Sequence, residues 1–349
     1  MTRILYLVDY QLDYGAEMLL NGLYKILGKD NLIIYPFLRR YSEGVDKDYI
    51  LPGGNRGYTS LPAQFSPLDL VEKDIDEILH GIQSGDFDFI VMASPREYVI
   101  KSMEVIREKF GKIPLPVVFC DFEDYSSLRW DIVQKYDPIC YFKRELVDTD
   151  ENRKLCRQYS IYPLPFSAIT DNLVADIPYE EKDIDVFFAA GLTHQIRERI
   201  VLLLDELRRE ESINFVGGID PPPKGREDLH FRESYENYCK LMGRAKINIT
   251  ARGFGYDTVR RFEVMCYSGL VLADTLPLQT PFPFTDGENI VYYDNNLNNL
   301  KALIRYYLEN KEERRRIGKA GKEHCLKYHT TFARAKYLLE VVEKCLKSR

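Results

Sequence analysis

Arginine, glutamate and glycine are spaced for phosphate and sugar binding in the segment Arg260-Arg-Phe-Glu-Val-Met-Cys-Tyr-Ser-Gly-Leu-Val-Leu-Ala273. The pattern predicts a helix, a glycine stop and a buried strand. Arg260 and Glu263 lie three residues apart and therefore share one face of the predicted helix. Backbone N–H groups at the helix start, together with Arg260, could hold a diphosphate, and Glu263 could accept hydrogen bonds from a ribose diol. We expect Gly269 to end the helix in a left-handed turn, although an ordinary surface ion pair and helix stop would fit the same residues.

Further charged residues occur where loops are expected to follow strands. His194 and Arg197 come at a predicted helix start, and a cation there would neutralise the charge of a leaving diphosphate. An exposed first turn of a helix would explain the same two residues. Arg252 and Asp257 flank two glycines in the loop Ala251-Arg-Gly-Phe-Gly-Tyr-Asp257. Because glycine relaxes the backbone, we expect these two side chains to contact phosphate or sugar.

Carboxylates follow two predicted strands of the first half. Asp121, Glu123 and Asp124 come directly after one strand, and Asp9 and Asp13 follow the first strand of the chain. Carboxylates at the carboxyl end of a parallel strand face the ligand edge of the sheet. One of them, with Asp121 and Asp124 as the leading candidates, could act as the general base that takes a proton from an acceptor hydroxyl. A solvated acidic turn would account for the same residues.

Strand and helix signals alternate along both halves of the chain. The first alternation begins at Arg3 and continues to a short strand at Ile139–Phe142, interrupted by a Gly-, Pro-, Tyr- and Ser-rich stretch at 46–67 that predicts a long loop. The pattern breaks between Ile161 and Lys182, and a second alternation begins at Ile184 and ends in three helices. Such βαβ alternation predicts a parallel, doubly wound α/β sheet in each half.

Length and composition limit the function classes. A chain of 349 residues fits two domains, and a net charge of −6 argues against a nucleic-acid partner, which would need a basic surface. Seven scattered cysteines with no paired spacing indicate reduced thiols, and the histidines show no metal-binding spacing. The sequence has no signal-peptide pattern and no run of 18 apolar residues, so we expect a cytoplasmic protein without a transmembrane segment. Peripheral membrane contact stays open.

The Arg260–Ala273 segment resembles the donor-site signature of group-1 glycosyltransferases. It is closest to the spore-maturation (CgeB-like) glycosyltransferase branch, with its Arg-x-Phe-Glu helix. Two later segments also match that branch: Asp286-Gly-Glu-Asn-Ile-Val-Tyr-Tyr-Asp294 and His329-Thr-Thr-Phe-Ala-Arg-Ala335. The resemblance covers residues 184–339 well and the N-terminal half only weakly.

This resemblance implies an α/β protein of GT-B architecture, in which two Rossmann-like domains face each other across a cleft. The N-terminal domain, residues 1–165, would hold the acceptor, and a linker would span residues 166–182. The C-terminal domain, residues 183–330, would hold the nucleotide-sugar donor. A C-terminal helix over residues 331–349 would cross back.

The resemblance also implies roles for single residues. Glu263 would bind the ribose, Arg260 the diphosphate, and Gly191 would let the backbone approach the phosphates; Arg197 fits an arginine of the family's helix. Members of the family usually need no metal or other cofactor. Many group-1 enzymes carry a second glutamate eight positions before the ribose-binding one, and Gly255 stands there in this chain. The stereochemical outcome of transfer is therefore left open.

The leading hypothesis is a metal-independent, hexosyltransferase-like glycosyltransferase. It would move a sugar from a nucleotide-diphosphate sugar to a glycan, a lipid-linked or a protein acceptor. Two alternatives stay open. One is a nucleotide-sugar epimerase or hydrolase of the same architecture. The other is a degenerate, non-catalytic nucleotide-binding protein, which the glycine at position 255 would favour.

Overall fold

The structure is a computed structural model that describes residues 2–42, 67–171 and 173–348. The chain divides into two compact units. The first unit comprises the described residues of Met1–Asn172 together with Leu278–Pro281 and Thr330–Arg349. The second unit comprises Leu173–Pro277 and Phe282–His329. Among the helices of the described ranges, none is both long and apolar enough to cross a membrane.

A six-stranded parallel sheet forms the centre of the first unit, with strand order β2-β1-β3-β4-β5-β6. The short strands are rich in branched and aromatic residues and are buried on both faces, as parallel sheets require. Their bounds are β1 Ile4–Leu7, β2 Leu32–Tyr35, β3 Phe89–Met92, β4 Val117–Asp121, β5 Cys140–Lys143 and β6 Ile161–Pro163.

Within the described residues of the N-terminal part, five helices connect these strands: α1 Tyr14–Leu27, α2 Ile75–Gln83, α3 Glu97–Phe110, α4 Trp130–Tyr136 and α5 Asp150–Tyr159. A 3-10 turn covers Arg39–Tyr41. Three of these helices, α1, α2 and α5, begin at a residue whose side chain caps the helix. Asp13 accepts the Ala16 N–H at the start of α1, and Asp74 forms a capping box with Glu77. The loop predicted at 46–67 lies, except for its last residue, outside the described residues.

A five-stranded parallel sheet forms the second unit, in the order β11-β10-β9-β7-β8. Its strands are β7 Ile184–Gly191, β8 Phe215–Asp220, β9 Ala245–Thr250, β10 Leu270–Asp274 and β11 Val291–Tyr293. Its helices are α6 Gln195–Glu211, α7 Tyr235–Arg244, α8 Val259–Val264, α9 Leu300–Glu309 and α10 Lys311–Tyr328. Two 3-10 turns cover Tyr179–Glu181 and Glu227–Leu229.

The last helix of the chain, α11 Thr331–Lys347, returns to the first unit and packs against α1. Thr330 caps it by accepting the Ala333 N–H. Gly22 of α1 allows the close approach, because a Cβ at this position would lie 2.0 Å from the Thr331 carbonyl oxygen. The C-terminal helix therefore returns to the first unit, as predicted.

Both sheets share one winding order. In each, the first strand lies between the second and the third, so that the chain runs outward in two directions from a switch point. The switch points lie between β1 and β3 in the first unit and between β7 and β9 in the second. Ligands of open α/β sheets bind beyond the carboxyl ends of the strands at such points. The prediction of two doubly wound α/β units is confirmed.

One local prediction is wrong. Gly269 does not adopt a left-handed conformation, and α8 already ends at Val264, before the predicted stop. A Cβ at position 269 would instead lie 2.5 Å from the Ala245 carbonyl oxygen. The glycine is needed for the close passage of the chain beside the start of β9, a long-range contact that the local pattern does not show.

Candidate functional site

Arg197 joins two loops at the switch point of the second sheet. Its Nη1 donates to the Gly191 carbonyl at 2.9 Å, at the end of β7. Its Nε donates to the Arg252 carbonyl at 2.8 Å and its Nη2 to the Ala251 carbonyl at 3.1 Å, directly after β9. The side chain is buried, and it satisfies the carbonyl groups of Ala251 and Arg252, whereas the Gly191 carbonyl also accepts the Thr193 N–H. Arg197 is thus a positioning residue, and its predicted contact with a donor stays a prediction.

Gly253 completes the packing around this guanidinium. A Cβ at position 253 would lie 3.0 Å from Arg197 Nη2 and 3.1 Å from Thr193 Oγ1. The Gly253 N–H donates to the Gly255 carbonyl at 3.1 Å and closes a turn. The φ of Gly253 is not positive, so the backbone freedom that the sequence suggested is not what requires a glycine here. The glycine instead lets Arg197 and Thr193 approach the backbone closely.

Asp274 ties a third strand to the same loop. It is fully buried at the end of β10, where it accepts the Arg252 N–H at 2.9 Å and Arg261 Nη2 at 2.8 Å. Arg261 also donates to the Asp274 carbonyl at 2.9 Å and so holds α8 against the sheet. Sequence reasoning missed this pair. The signal was a carboxylate at the end of a buried strand, which has the same position as the acidic residues that were singled out in the first half.

Arg252 and Arg260 form no ion pair within the part of the chain that the structure describes. The Arg252 guanidinium lies over the Tyr256 ring at 3.9 Å from its centroid, and Arg252 Nε is buried without a hydrogen-bond partner. Arg260 lies 5.1 Å from the Tyr238 ring centroid, with Nε and Nη1 likewise buried and unsatisfied. Buried donors without acceptors are unusual in proteins, so these N–H groups are candidates for binding an anion.

His194 is the N-cap of α6, and its Nδ1 accepts the Ile196 N–H at 3.2 Å. Burial, followed by the charges of Arg252 and Arg197, lowers the pKa of the imidazole below its ordinary value of 6.5. At pH 7 the ring is therefore neutral, and the proton resides on Nε2 because Nδ1 is an acceptor. The lowered pKa favours a neutral ring at His194, and its catalytic role stays a prediction. Arg252 supplies positive charge beside it.

Glu263 lies one turn after Arg260, and both side chains face Tyr238. The Arg260 guanidinium lies over the ring of Tyr238. Burial raises the pKa of the Tyr238 hydroxyl, Arg260 opposes this shift, and the Glu263 carboxylate adds to it. The same carboxylate is the largest charge contribution, after burial, to the raised pKa of Tyr235. The i,i+3 geometry on α8 thus places the predicted pair on one face, and the structure adds two tyrosines of α7 that the sequence did not single out.

The remaining predicted site residues lie apart or are engaged in the protein. Asp257 is buried in the loop after β9. In the first unit, Asp121 is buried and accepts Tyr141 Oη at 2.7 Å, Lys143 Nζ at 2.8 Å and the Glu123 N–H at 3.1 Å. Asp124 is half exposed and pairs with Arg144. The hydrogen bonds of Asp121 explain its burial structurally, and the catalytic roles of both aspartates stay predictions. Across the described ranges, no three His, Cys, Asp or Glu residues are grouped to hold a metal ion.

Among known protein families, a match is found for the second half of the chain. Residues 197–340, which include most of α6, the loop after β9 and α8, match a family model described as glycosyl transferase-like. A comparison of the sequence with curated proteins found no match.

The solved structures with a similar fold align along the whole chain. A glycosyltransferase from Rickettsia africae is 13% identical, with a TM-score of 0.64 over 100% of this chain and 99% of that chain. HepE from Anabaena, crystallised with UDP-glucose, is 12% identical, with a TM-score of 0.56 over 99% of this chain and 100% of that chain. Sucrose-phosphate synthase from Thermosynechococcus elongatus is 11% identical, with a TM-score of 0.54 over the full length of both chains. The chain therefore has the GT-B fold of two Rossmann-like units.

We expect Arg197→Lys to lower the free energy of unfolding by roughly 2–4 kcal/mol, because a lysine cannot reach three carbonyl groups and buried acceptors would be left unsatisfied. Chemical denaturation followed by circular dichroism measures the change. Arg199→Ala on the same helix is the matched control: Arg199 donates from Nη2 to the Asn296 carbonyl at the surface, and its loss should cost less than about 1 kcal/mol. Equal stability of the two variants would contradict the structural role of the three Arg197 hydrogen bonds.

The His194 imidazole should titrate below pH 6.5, which NMR can follow through its ring protons, with His194→Asn identifying the signal. A folded pKa below the unfolded one means that the native state binds fewer protons. Stability from this residue is therefore complete above pH 6.5 and falls as the pH drops through that value. Asn is also a good N-cap, so His194→Asn should keep the helix and flatten this dependence. A midpoint above 6.5 would show a cationic His194 instead.

Proposed function

We propose that the protein is a glycosyltransferase that uses a nucleotide-diphosphate sugar bound at the switch point of the second sheet. The observation that carries this proposal is the pair of arginines, Arg252 and Arg260, with buried and unsatisfied N–H groups on the loop and helix that follow β9. Neither arginine forms an ion pair within the described residues, and Glu263 lies one turn after Arg260 on α8. The match of residues 197–340 to a glycosyl transferase-like family supports the same reading.

A diphosphate suits these arginines electrostatically. A buried donor without an acceptor costs about 1–3 kcal/mol, and a phosphate oxygen accepts from guanidinium in a strong, charge-assisted hydrogen bond. The stacking of Arg252 on Tyr256 and of Arg260 over Tyr238 holds both groups in place before the ligand arrives. Charge that builds up on the leaving diphosphate would be stabilised without reorganisation of the site.

Two arginines can neutralise the charge of a diphosphate as a divalent cation would. We therefore propose that transfer needs no metal or other cofactor. His194 contributes as a neutral donor, since its Nε2–H is free to bind a phosphate or sugar oxygen while Nδ1 caps α6. Gly191 at the end of β7 and Gly253 in the loop after β9 are both in contact with Arg197. The backbone that would contact the phosphates is therefore held in place by this arginine.

Glu263 completes the donor site by accepting hydrogen bonds from the ribose hydroxyls. Its carboxylate lies close enough to Tyr235 and Tyr238 of α7 to raise the pKa of both hydroxyls, in each case after burial. We propose a hexose as the transferred sugar and a uridine nucleotide as the first donor to test, because HepE, which shares the fold, was crystallised with UDP-glucose. Within the glycosyltransferases, the Arg-x-Phe-Glu helix supports the CgeB-like branch, and we propose a cytoplasmic location.

Single substitutions should separate binding from folding. We expect Arg252→Ala, Arg260→Ala and Glu263→Ala each to weaken binding of UDP at least about tenfold, since a charge-assisted hydrogen bond contributes about 1.5–3 kcal/mol, and to abolish transfer. Isothermal titration calorimetry measures binding, and circular dichroism checks the fold.

The matched control for these variants is Arg305→Ala, which removes an exposed arginine that pairs with Glu211. It should bind UDP as the wild type does. Wild-type affinity in the Arg252, Arg260 and Glu263 variants would contradict the proposed donor site.

An epimerase is the second candidate, since a structure titled as a putative UDP-N-acetylglucosamine 2-epimerase from Listeria monocytogenes has a TM-score of 0.51 to this chain at 10% identity. Incubation with UDP-N-acetylglucosamine in the absence of any acceptor distinguishes the two. Isomerised donor would favour the epimerase, and binding of UDP without any turnover in the presence of acceptors would favour a non-catalytic nucleotide-binding protein.

A further inference from the structure

A buried ion pair of the first unit joins α1 to the 3-10 turn at Arg39–Tyr41. Glu17 of α1 is 1% exposed, and its Oε1 accepts Arg40 Nη2 at 3.1 Å and Tyr41 Oη at 3.1 Å. Its Oε2 is also buried and has no hydrogen-bond partner among the described residues. A buried ion pair compensates for the loss of hydration only when the remaining polar atoms are satisfied as well. This carboxylate therefore lacks part of the stabilisation that an ionised group needs.

Charged and titratable side chains approach Glu17 from several sides. They are Arg40 and Tyr41 of the turn, Asp13 at the start of α1 and Tyr6 of β1, and Arg96 in turn lies 3.6 Å from Asp13. Burial raises the pKa of Glu17 to about 7, and the Asp13 carboxyl adds to the shift. Arg40 and Tyr41 oppose it. Glu17 therefore changes its charge around neutral pH, where a carboxyl with the ordinary pKa of 4.5 stays ionised.

Arg40 and Tyr41 also hold other parts of the first unit. Arg40 Nη1 donates to the Tyr10 carbonyl at 2.9 Å, in the loop after β1. The Leu68 N–H donates to the Tyr41 carbonyl at 2.7 Å. The contact of the turn with Glu17 thus bears on the order of the loop after β1 and of the chain at Leu68.

The contact between Glu17 and Arg40 depends on the charge of the carboxyl. Because Arg40 lowers the pKa of Glu17, a proton on Glu17 must in return weaken the contact with Arg40. The neutral carboxyl can still accept hydrogen bonds, but it loses the charge that strengthens them. Glu17 lies among buried residues of α1, so that release of the turn alone leaves the carboxyl inside the protein.

We propose that Glu17, Arg40 and Tyr41 form a proton-sensitive anchor, which holds the 3-10 turn firmly while Glu17 is ionised and releases it in part when Glu17 is protonated. Through Arg40 and Tyr41, the same proton controls the order of the loop after β1 and of the chain at Leu68. The anchor belongs to the first unit and does not depend on the donor site or on the proposed glycosyltransferase function.

Carbon-13 NMR of the full chain with labelled glutamate side chains tests the charge of Glu17. One carboxyl signal should titrate with a midpoint of about 7 and should be missing in Glu17→Gln. Arg40→Gln removes the opposing charge and should move the midpoint higher. Titration of Glu17 near 4.5, or a midpoint that Arg40→Gln lowers or leaves unchanged, would overturn the proposal.

Hydrogen–deuterium exchange at pH 6 and pH 8, corrected for the intrinsic exchange rate, tests the anchor itself. Residues 38–42 and 67–70 should lose protection at least about threefold at pH 6, since protonation weakens charge-assisted hydrogen bonds. Glu17→Gln should show the lower protection at both pH values. Glu108→Gln, which removes an exposed carboxylate from α3, is the matched control and should keep the wild-type response. Equal protection at both pH values in the wild type, or a full pH response in Glu17→Gln, would contradict the anchor.

The free energy of unfolding should change with pH in the opposite direction, because unfolding exposes Glu17 and release of the turn does not. The folded pKa of about 7 exceeds the ordinary 4.5, so the native state binds more protons than the unfolded chain between these values. Stability from Glu17 is therefore complete below pH 4.5 and is lost as the pH rises through about 7. The difference in unfolding free energy between the wild type and Glu17→Gln, measured in urea, should follow this course. A difference that stays constant with pH would overturn the proposal.

Discussion

The candidate donor site depends on one guanidinium. Arg197 lies on α6 and donates to carbonyl groups that end β7 and follow β9, the two strands that meet at the switch point. Carbonyl groups at the ends of parallel strands need hydrogen-bond donors, and the Arg197 guanidinium is such a donor here. The loops after both strands are thereby held at one place, with Gly253 shaped to admit the arginine. Asp274 and Arg261 extend this framework to β10 and α8.

This framework divides the arginines of the site into two kinds. Arg197 and Arg261 are buried and engaged with carbonyl or carboxylate oxygens, and so they position the chain. Arg252 and Arg260 lean on tyrosine rings and retain unsatisfied donors, and so they are the groups that can receive an anion. Burial, followed by the charges of Arg252 and Arg197, lowers the pKa of His194, so the neutral imidazole can act as a hydrogen-bond donor. Charge and geometry at this edge both favour a phosphate-bearing ligand.

The sequence predicts the parts of this arrangement that depend on local spacing. Buried strands, amphipathic helices and the shared face of Arg260 and Glu263 follow from periodicity, which acts over a few residues. The role of Arg197 does not follow, because its acceptors at positions 251 and 252 lie more than fifty residues along the chain. Gly269 was misread for the same reason: a glycine after a helix usually marks a left-handed turn, yet here it gives room for β9. Contacts of this kind are set by the sheet order, which local patterns do not encode.

Hydrogen–deuterium exchange with mass spectrometry, in the absence and presence of UDP, tests the central claim most directly, because it locates the donor site without a substitution. The account predicts slower exchange on binding in peptides that cover residues 189–197 and 251–263, where the backbone amides of the loops and of α8 lie. The strands of the first unit should exchange as before. If UDP binds while the exchange rate of residues 251–263 stays unchanged, the assignment of the donor site to this edge of the second sheet is contradicted.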